Sequence, residues 1–241
     1  MKISVIVPAF NEEKLLGATL QNLQVTLAAF TGRGWETEVI VCDNNSTDRT
    51  PEIARAAGAK VVFEPENQIA RARNTGAAAA TGDWIIFVDA DTHPSRELFA
   101  DVADAITAGK CLAGGVTVRL DEPSLLGKVI VFIWNCLSRW RRWMPGPFHF
   151  CETAAFRKLG GCNTILYSSE DVDLSIRLKR HGRTTGRTVV ILHDHPVVTS
   201  ARKLKLYRTW DYVRFMTKTI FTGGKTLKDK KECHTWYDGR R

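Results

Sequence analysis

Two aspartates that follow an apolar run are the first candidates for chemistry in this sequence. Residues 84–88 (WIIFV) have the length and composition of one buried strand, and Asp89 and Asp91 follow it, separated by Ala90. Carboxylate oxygens suit a hard divalent cation, which also binds substrate phosphates. Ligands bind at the carboxyl ends of strands in open α/β sheets, so this pair predicts a metal site. The alternative is that both acids only cap a helix beginning near Pro94.

The elements around this pair predict a parallel sheet. Apolar strands at residues 3–7, 39–42 and 60–63 alternate with helices that begin near Asn11, Thr50 and Ile69. Such alternation is typical of βαβ units. Polar loops follow three of the strands, at residues 8–12, 43–48 and 89–91. We expect these three loops to meet at one edge of the sheet.

The second half of the chain continues with less regular elements. We expect helices at 96–108, 153–159, 168–182 and 204–221, and strands at 111–120, 148–151 and 188–192. Gly114-Gly115 predicts a bulge in its strand, and the charged tail 223–241 is expected to be mobile. Residues 125–143 combine apolar side chains with interleaved Arg and Trp. They predict either a helix lying in a membrane interface or a core helix with a basic, solvated end.

Composition limits the classes of protein that fit. The 241 residues carry a net charge of +8, which favours an anionic partner such as a nucleotide phosphate or an acidic membrane surface. No RNA-binding or helix-turn-helix signature is present, so no nucleic-acid partner is expected. The six cysteines show no CxxC spacing, and neither a signal peptide nor a long apolar span is evident. We therefore expect a cytoplasmic protein, peripheral on the cytoplasmic face of a membrane if the interfacial interpretation holds.

Five segments, taken in order, resemble the family-two inverting glycosyltransferases. They are SVIVPAFNEE (4–13), VCDNNSTDRT (41–50), ARNTGAAAATGDWIIFVDADT (72–92), FRKLGG (156–161) and SEDVDLSIRLKRHG (169–182). The resemblance implies the GT-A fold, a Rossmann-like α/β domain with a mostly parallel central sheet flanked by helices, over residues 1–222. Residues 1–120 would form its nucleotide-sugar-binding half, and residues 121–222 its acceptor-binding half.

The same resemblance implies site residues. Asp43 would contact the base or ribose of a nucleotide diphosphate-sugar, and the nucleotide pocket would be lined by Pro8, Phe10 and Glu12. Asp89, Ala90 and Asp91 would be the Asp-x-Asp motif at the donor, with Asp91 the direct ligand of Mn²⁺ or Mg²⁺. Asp171 would be the general base, and Glu170 would hold Asp171 or orient the acceptor. Taken from the residues alone, Glu170-Asp171 favours the capped, acidic start of a helix over a catalytic pair.

Other side chains are weaker candidates. Arg71 and Arg73 begin a helix and could assist at the phosphates or the base, or lie on a solvated helix face. His193 and His195 follow the strand expected at 188–192, so one of them could be a third metal ligand; the alternative is a pair of loop histidines. Three residues could close over the diphosphate as a lid: Ser200, Arg202 and Lys203.

The predicted function is transfer of one sugar. Neither a QxxRW motif nor a C-terminal transmembrane pair is found, which argues against a polysaccharide synthase. The expected acceptor is a lipid, a lipid-linked saccharide or a polyprenyl phosphate. The alternatives are a soluble acceptor such as a glycerate-type acid, or a sugar-nucleotide-binding protein without activity. A nucleotidyltransferase would need a Gly-rich, basic loop after the first strand, and residues 8–11 do not provide one.

Overall fold

The structure is a computed structural model. It describes residues 1–122, 124–202, 206, 214, 215, 217–219, 221–233, 235 and 237. Most of the helix predicted at 204–221, and Lys203 of the predicted lid, lie outside the described residues.

The first half of the chain forms the parallel βαβ arrangement that the sequence predicts. Its strands are β1 (Lys2–Ala9), β2 (Glu36–Asp43), β3 (Lys60–Phe63) and β4 (Trp84–Val88). Its helices are α1 (Leu16–Thr26), α2 (Ala28–Thr31), α3 (Thr50–Ala56) and α4 (Ile69–Ala78). All five residues of β4 are buried, as expected for a strand covered on both faces. Alternate residues of β1 face two cores, with Val5 packed on the α1 side and Ile6 on the α4 side.

The second half extends the same sheet and introduces antiparallel pairs. It contains β5 (Thr92–His93), α5 (Arg96–Thr107), β6 (Cys111–Leu120), α6 (Leu125–Arg141), β7 (Phe148–Glu152), α7 (Thr153–Lys158), α8 (Glu170–Thr185), β8 (Thr188–Thr199) and a 3₁₀ turn (Lys225–Lys228). In the described residues the strand order is β3-β2-β1-β4-β7-β6-β8-β5. Strand β7 runs antiparallel to both β4 and β6, whereas β6 and β8 are parallel. One continuous, mostly parallel sheet therefore makes a single α/β domain.

Several element boundaries differ from the predictions. Helix α1 begins at Leu16, because Asn11 takes a left-handed conformation (φ 53°) and its side chain accepts a hydrogen bond from Thr47 N (2.8 Å) instead of capping a helix. The irregularities of β6 lie on either side of Gly114-Gly115. A side chain at Gly114 would collide with the ring of Phe150, so this glycine allows close packing of β6 on β7.

Strand β8 is longer than predicted, and this changes where its histidines lie. It continues to Thr199 instead of ending at Leu192. Residues 192 and 197 of β8 pair with 116 and 118 of β6, so residues 193–196 bulge out opposite Thr117. His193 and His195 are consequently exposed on a bulge within the strand and do not follow its end.

Side chains in the described part of the C-terminal segment contact the domain. Thr226 and Cys233 are buried. Tyr167 N donates to Leu227 O (2.7 Å), and the Tyr237 hydroxyl donates to Tyr167 O (2.8 Å). These contacts connect the described part of the segment to the loop before α8.

Candidate active site

The turn that carries the two aspartates is held rigidly at the end of β4. Asp89 N donates to Pro147 O (3.0 Å), and the buried Thr19 hydroxyl of α1 donates to Ala90 O (2.7 Å). Asp91 O accepts from Ser200 N (3.2 Å), just after β8. Three distant parts of the chain therefore fix the backbone of this turn, and neither acid caps the helix α5, whose first turn is capped by Ser95.

The three polar loops meet in one cleft, as expected for loops that follow the carboxyl ends of parallel strands. The cleft opens to solvent. Its walls come from the ends of β1, β2 and β4, the start of α4 and the C-terminal segment: Pro8, Ala9, Phe10, Glu12, Asn44, Asn67, Ile69, Ala72, Asp89, Ala90, Asp91 and Tyr237. Asp43 is buried beside Asn44, and its Oδ1 accepts from Ser46 N (3.0 Å). The structure thus brings most of the predicted donor-site residues together.

Arg73 connects this cleft to the start of α8. It is buried on α4, where its guanidinium contacts Glu170 Oε1, Asp89 Oδ1 (3.2 Å) and Gly146 O (2.8 Å). Burial alone would lower the pKa of Arg73, but the carboxylates of Glu170 and Asp89 raise it, so the side chain stays charged. The solvated-face alternative for Arg73 is wrong. It fits Arg71 better, because Arg71 pairs with Glu66 (3.0 Å) at the partly exposed start of α4.

Glu170 and Asp171 begin α8 and have different environments. Glu170 is buried against Arg73. Asp171 is partly exposed, and Val172 N donates to its Oδ1 (2.8 Å). Loss of hydration raises the pKa of Asp171 to about 7, the negative charge of Glu170 adds to the effect, and Arg73 opposes it. A carboxylate with a pKa near neutrality is suited to accept a proton in catalysis.

Gly146 lies against this carboxylate. A methyl group added at Gly146 would come within 3.3 Å of Asp171 Oδ2. A glycine therefore leaves the space beside the candidate base open.

Glu12 and Asp91 share a cation. The Arg202 guanidinium makes two hydrogen bonds to Glu12 (3.1 and 2.9 Å) and lies 3.4 Å from Asp91 Oδ2. Burial would lower the pKa of Arg202, but these carboxylates raise it. The sequence suggested Arg202 only as part of a lid. The structure places it inside the site, next to the candidate metal ligand.

The residues present fit a divalent cation held partly by a bound nucleotide. The described residues contain no group of three or more His, Cys, Asp and Glu side chains arranged to hold a metal by themselves. Asp91 presents a carboxylate at the cleft, where it pairs with the shared guanidinium of Arg202. Asp91 together with diphosphate oxygens would give the oxygen-rich donor set that Mn²⁺ and Mg²⁺ prefer.

The structure does not bring either candidate histidine to Asp91. His195 Nδ1 lies 2.8 Å from Asp101 Oδ2 on α5, and that hydrogen bond raises the pKa of His195. His193 lies near Arg139 and Arg142, on another part of the surface. The expectation depended on β8 ending at Leu192. Because the strand continues, Ser200 and Arg202 reach the site and the histidines do not.

Asn44 and Tyr237 line the cleft, although neither was predicted as a site residue. Asn44 donates to Glu66 O (2.7 Å) and accepts from Gln68 N (2.9 Å), so it fixes the loop before α4. Tyr237 donates to Tyr167 O, and its oxygen lies 3.4 Å from Ile69 N at the start of α4. The position of Asn44 in the polar loop after β2 could have indicated that it lies at the site. No local pattern could have indicated Tyr237.

The fold is that of the GT-A glycosyltransferases. It is similar to that of the mannosyltransferase PcManGT from Pyrobaculum calidifontis, solved with GDP-Man and Mn²⁺ (TM-score 0.69, 22% identity, 88% of this chain and 59% of that one). It is also similar to glucosyl-3-phosphoglycerate synthase from Mycobacterium tuberculosis, solved with Mn²⁺, UDP and phosphoglyceric acid (TM-score 0.62, 20% identity, 91% of this chain and 76% of that one).

The sequence assigns the chain to a family within that class. The profile of "Glycosyl transferase family 2" matches residues 4–165, and the chain belongs to this family. The probable glycosyltransferase YdaM of Bacillus subtilis is 29% identical over 203 residues, which are 75% of this chain and 47% of that protein. The chain spans less than half of the length of the first curated relatives it matches.

Proposed function

We propose that this protein transfers one sugar from a nucleotide diphosphate-sugar to an acceptor, with inversion at the sugar carbon. The observation that carries the proposal is the buried Arg73, which joins Asp89 of the donor cleft to Glu170, the neighbour of Asp171. One charged side chain thus fixes the donor side and the candidate base relative to each other. A site of this kind can hold two reactants in a set geometry.

The donor would lie along the cleft with its diphosphate toward the end of β4. Pro8, Phe10 and Asp43 would contact the base and ribose, and Asp89, Ala90 and Asp91 lie where the diphosphate would be. The bound GDP-Man and UDP of the two structural neighbours support a nucleotide diphosphate-sugar as the donor. Mn²⁺ or Mg²⁺ bound at Asp91 would neutralise the charge that develops on the leaving diphosphate.

Asp171 would act as the general base for a hydroxyl acceptor. The acceptor oxygen forms a bond to the anomeric carbon, the bond from that carbon to the diphosphate oxygen breaks, and the nucleoside diphosphate leaves with the electron pair. Asp171 takes the proton of the hydroxyl. A single displacement of this kind inverts the configuration. A phosphate acceptor is already ionised and would not need the base.

The acceptor side separates the two candidate activities. We place a lipid or lipid-linked acceptor first, because Arg141 lies against the rings of Trp140 and Trp143 at the end of α6. A soluble, anionic acceptor is the second candidate, supported by the net charge of +8 and by the phosphoglyceric acid bound to one structural neighbour. A sugar-nucleotide-binding protein without activity would need neither the Asp171 carboxylate nor the space that Gly146 leaves beside it.

The test is a thermal-shift comparison of UDP and GDP, each with and without Mn²⁺. A ligand that binds only the folded state raises its apparent stability. We expect one nucleotide to raise the melting temperature in a metal-dependent way, and Asp91→Ala to abolish the shift. Asp171→Asn is the matched control, because it should keep the shift. Absence of any shift with the wild-type chain and Mn²⁺ would contradict the donor-site assignment.

A further inference from the structure

Helix α6 turns its apolar side to the solvent. Of its 17 residues, Gly127 and Ser138 are buried. Large apolar side chains are exposed instead: Leu125 (81%), Leu126 (45%), Val129 (47%), Ile130 (37%), Phe132 (68%), Ile133 (59%) and Trp140 (76%). At 100° per residue, these seven positions fall on one continuous side of the helix, here called the α6 face. A surface helix normally packs its apolar stripe on the core, so the α6 face is the reverse of that arrangement.

The opposite side attaches α6 to the domain. Asn135 makes two hydrogen bonds to the backbone of Val118 in β6 (3.0 and 2.9 Å), and Val131 packs against the core. The Ser138 hydroxyl donates to Trp143 O (2.6 Å). The core-helix interpretation is therefore wrong. The helix is held by a polar and small-residue side, and this leaves the α6 face available to a partner.

Positive charges border the α6 face. Lys128, Arg139 and Arg141 belong to the helix, and residues 125–142 contain no acidic side chain. The Arg141 guanidinium lies 5.4 Å from the ring centre of Trp140 and 4.9 Å from that of Trp143. Lys179 of α8 donates to Arg141 O (2.5 Å), which adds another cation to this end. Apolar side chains edged by Arg, Lys and Trp match the acyl and headgroup layers of an anionic lipid surface.

The α6 face is also joined directly to the catalytic cleft. The chain passes from the end of α6 to Gly146, whose carbonyl accepts from Arg73 and whose α-carbon faces Asp171. Along this path Met144 N donates to Ser175 Oγ in α8 (2.9 Å). A surface that held α6 would therefore lie on the acceptor side of the cleft.

We propose that the α6 face lies in the interface of an anionic membrane and that the membrane delivers a lipid-linked acceptor to Asp171. The second half of this inference depends on the proposed transferase function. Among the described helices, none is both long and apolar enough to cross a bilayer. Binding would therefore be peripheral, with the axis of α6 parallel to the membrane plane.

The test is co-sedimentation of the full chain with phosphatidylcholine vesicles, with and without phosphatidylglycerol. We expect binding that requires phosphatidylglycerol and falls with salt. Val129→Asp and Phe132→Asp should each weaken partitioning by about tenfold or more, since each puts a charge into the apolar layer. Val25→Asp on α1 is the matched control, because Val25 is 67% exposed on a different helix; it should bind as the wild type does.

A second measurement tests whether α6 itself enters the lipid layer. Cys136 is the one exposed cysteine among the six and lies on α6, so it accepts an environment-sensitive fluorophore. We expect a blue shift when phosphatidylglycerol vesicles are added. No vesicle binding by the wild-type chain would overturn the proposal. A second result would also overturn it: the wild type forms a dimer in light scattering, Phe132→Asp dissociates that dimer, and vesicles leave the fluorescence of the Cys136 probe unchanged.

Nucleotide binding, measured on the same variants, separates the two proposals. If vesicles bind and neither UDP nor GDP with Mn²⁺ shifts the melting temperature, the transferase proposal fails and the membrane surface stands. If a nucleotide shifts it and vesicles do not bind, the membrane surface fails alone. Val129→Asp should keep the nucleotide shift, because Val129 lies outside the cleft.

Discussion

Asp171 lies where a carboxylate is hard to ionise. Loss of hydration raises its pKa to about 7, the charge of Glu170 adds to this, and the guanidinium of Arg73 limits the rise. Only the ionised form accepts a proton. With a hydroxyl acceptor, we therefore expect the transfer rate to fall as the pH drops below about 7 and to level off above it.

The measurement is kcat from about pH 5 to about pH 9, with Asp171→Asn alongside. The variant should lose about 10²- to 10⁴-fold in kcat, because the proton has no acceptor. Its nucleotide-induced thermal shift should persist. A flat profile through pH 7, or an active Asp171→Asn, would remove Asp171 from the role of base or indicate an ionised acceptor.

Arg73 is a second residue with a measurable role. Replacing it by Met removes the cation that pairs with the buried carboxylate of Glu170, and an uncompensated buried charge costs about 3–5 kcal/mol of unfolding free energy. Arg73→Met combined with Glu170→Gln should recover part of that loss, since it removes the buried charge. Urea unfolding of the wild type and the two variants checks this. If the double variant is no more stable than Arg73→Met, the unpaired charge of Glu170 is not the main cause of the lost unfolding free energy.

At the scale of elements, the C-terminal segment and the start of α4 act together. The Tyr237 hydroxyl donates to Tyr167 O and lies beside Ile69 N, so it ties that segment to a wall of the cleft. Tyr237→Phe removes the bond donated to Tyr167 O and the longer one accepted from Ile69 N. This loss, worth about 1 kcal/mol, should weaken nucleotide binding about fivefold.

Tyr167→Phe is the matched control for this change. Tyr167 contributes its backbone carbonyl to the bond, and its ring contacts the ring of Tyr237 edge-on. The control keeps both features, so its affinity should stay near that of the wild type. Calorimetric titration of the nucleotide with Mn²⁺ measures both. Equal weakening in the two variants would show that the bond to the backbone is not the cause.

For the whole molecule, the order of the strands indicates whether the two predicted halves, residues 1–120 and 121–222, can fold separately. Strand β7 lies between β4 and β6, although β6 precedes β7 in the chain. A fragment of residues 1–120 would leave β4 with an unpaired apolar edge and β6 without its neighbours β7 and β8. Exposed apolar edges aggregate. We expect the fragment to lack a cooperative unfolding transition and the full chain to show one.

Calorimetry and size-exclusion chromatography of the two chains decide this. A soluble fragment with its own sharp transition would make residues 1–120 an independent folding unit. The expected failure of the fragment would mean that the nucleotide-binding and acceptor-binding halves share one core. The two halves would then differ in what they bind, but they would fold as one unit.

Local patterns in the sequence predicted most of the elements and the position of the acids at the end of β4. A strand that is buried on both faces has a continuous apolar sequence, so β4 and β6 were predicted at their observed bounds. Parallel βαβ units also place strand ends on one edge, so the convergence of residues 8–12, 43–48 and 89–91 followed from local pattern alone.

Tertiary structure decided what depends on distant partners. Arg73 and Glu170 are 97 residues apart, and Tyr237 meets Tyr167 across 70. Periodicity records only whether a residue is covered and not by what, so these contacts left no local signal. The bulge that takes His193 and His195 away from Asp91 comes from pairing with β6, and the outward α6 face comes from where Asn135 attaches its helix. Local burial is encoded in neighbouring residues, whereas strand order and long-range pairing are set by the packing of the whole chain.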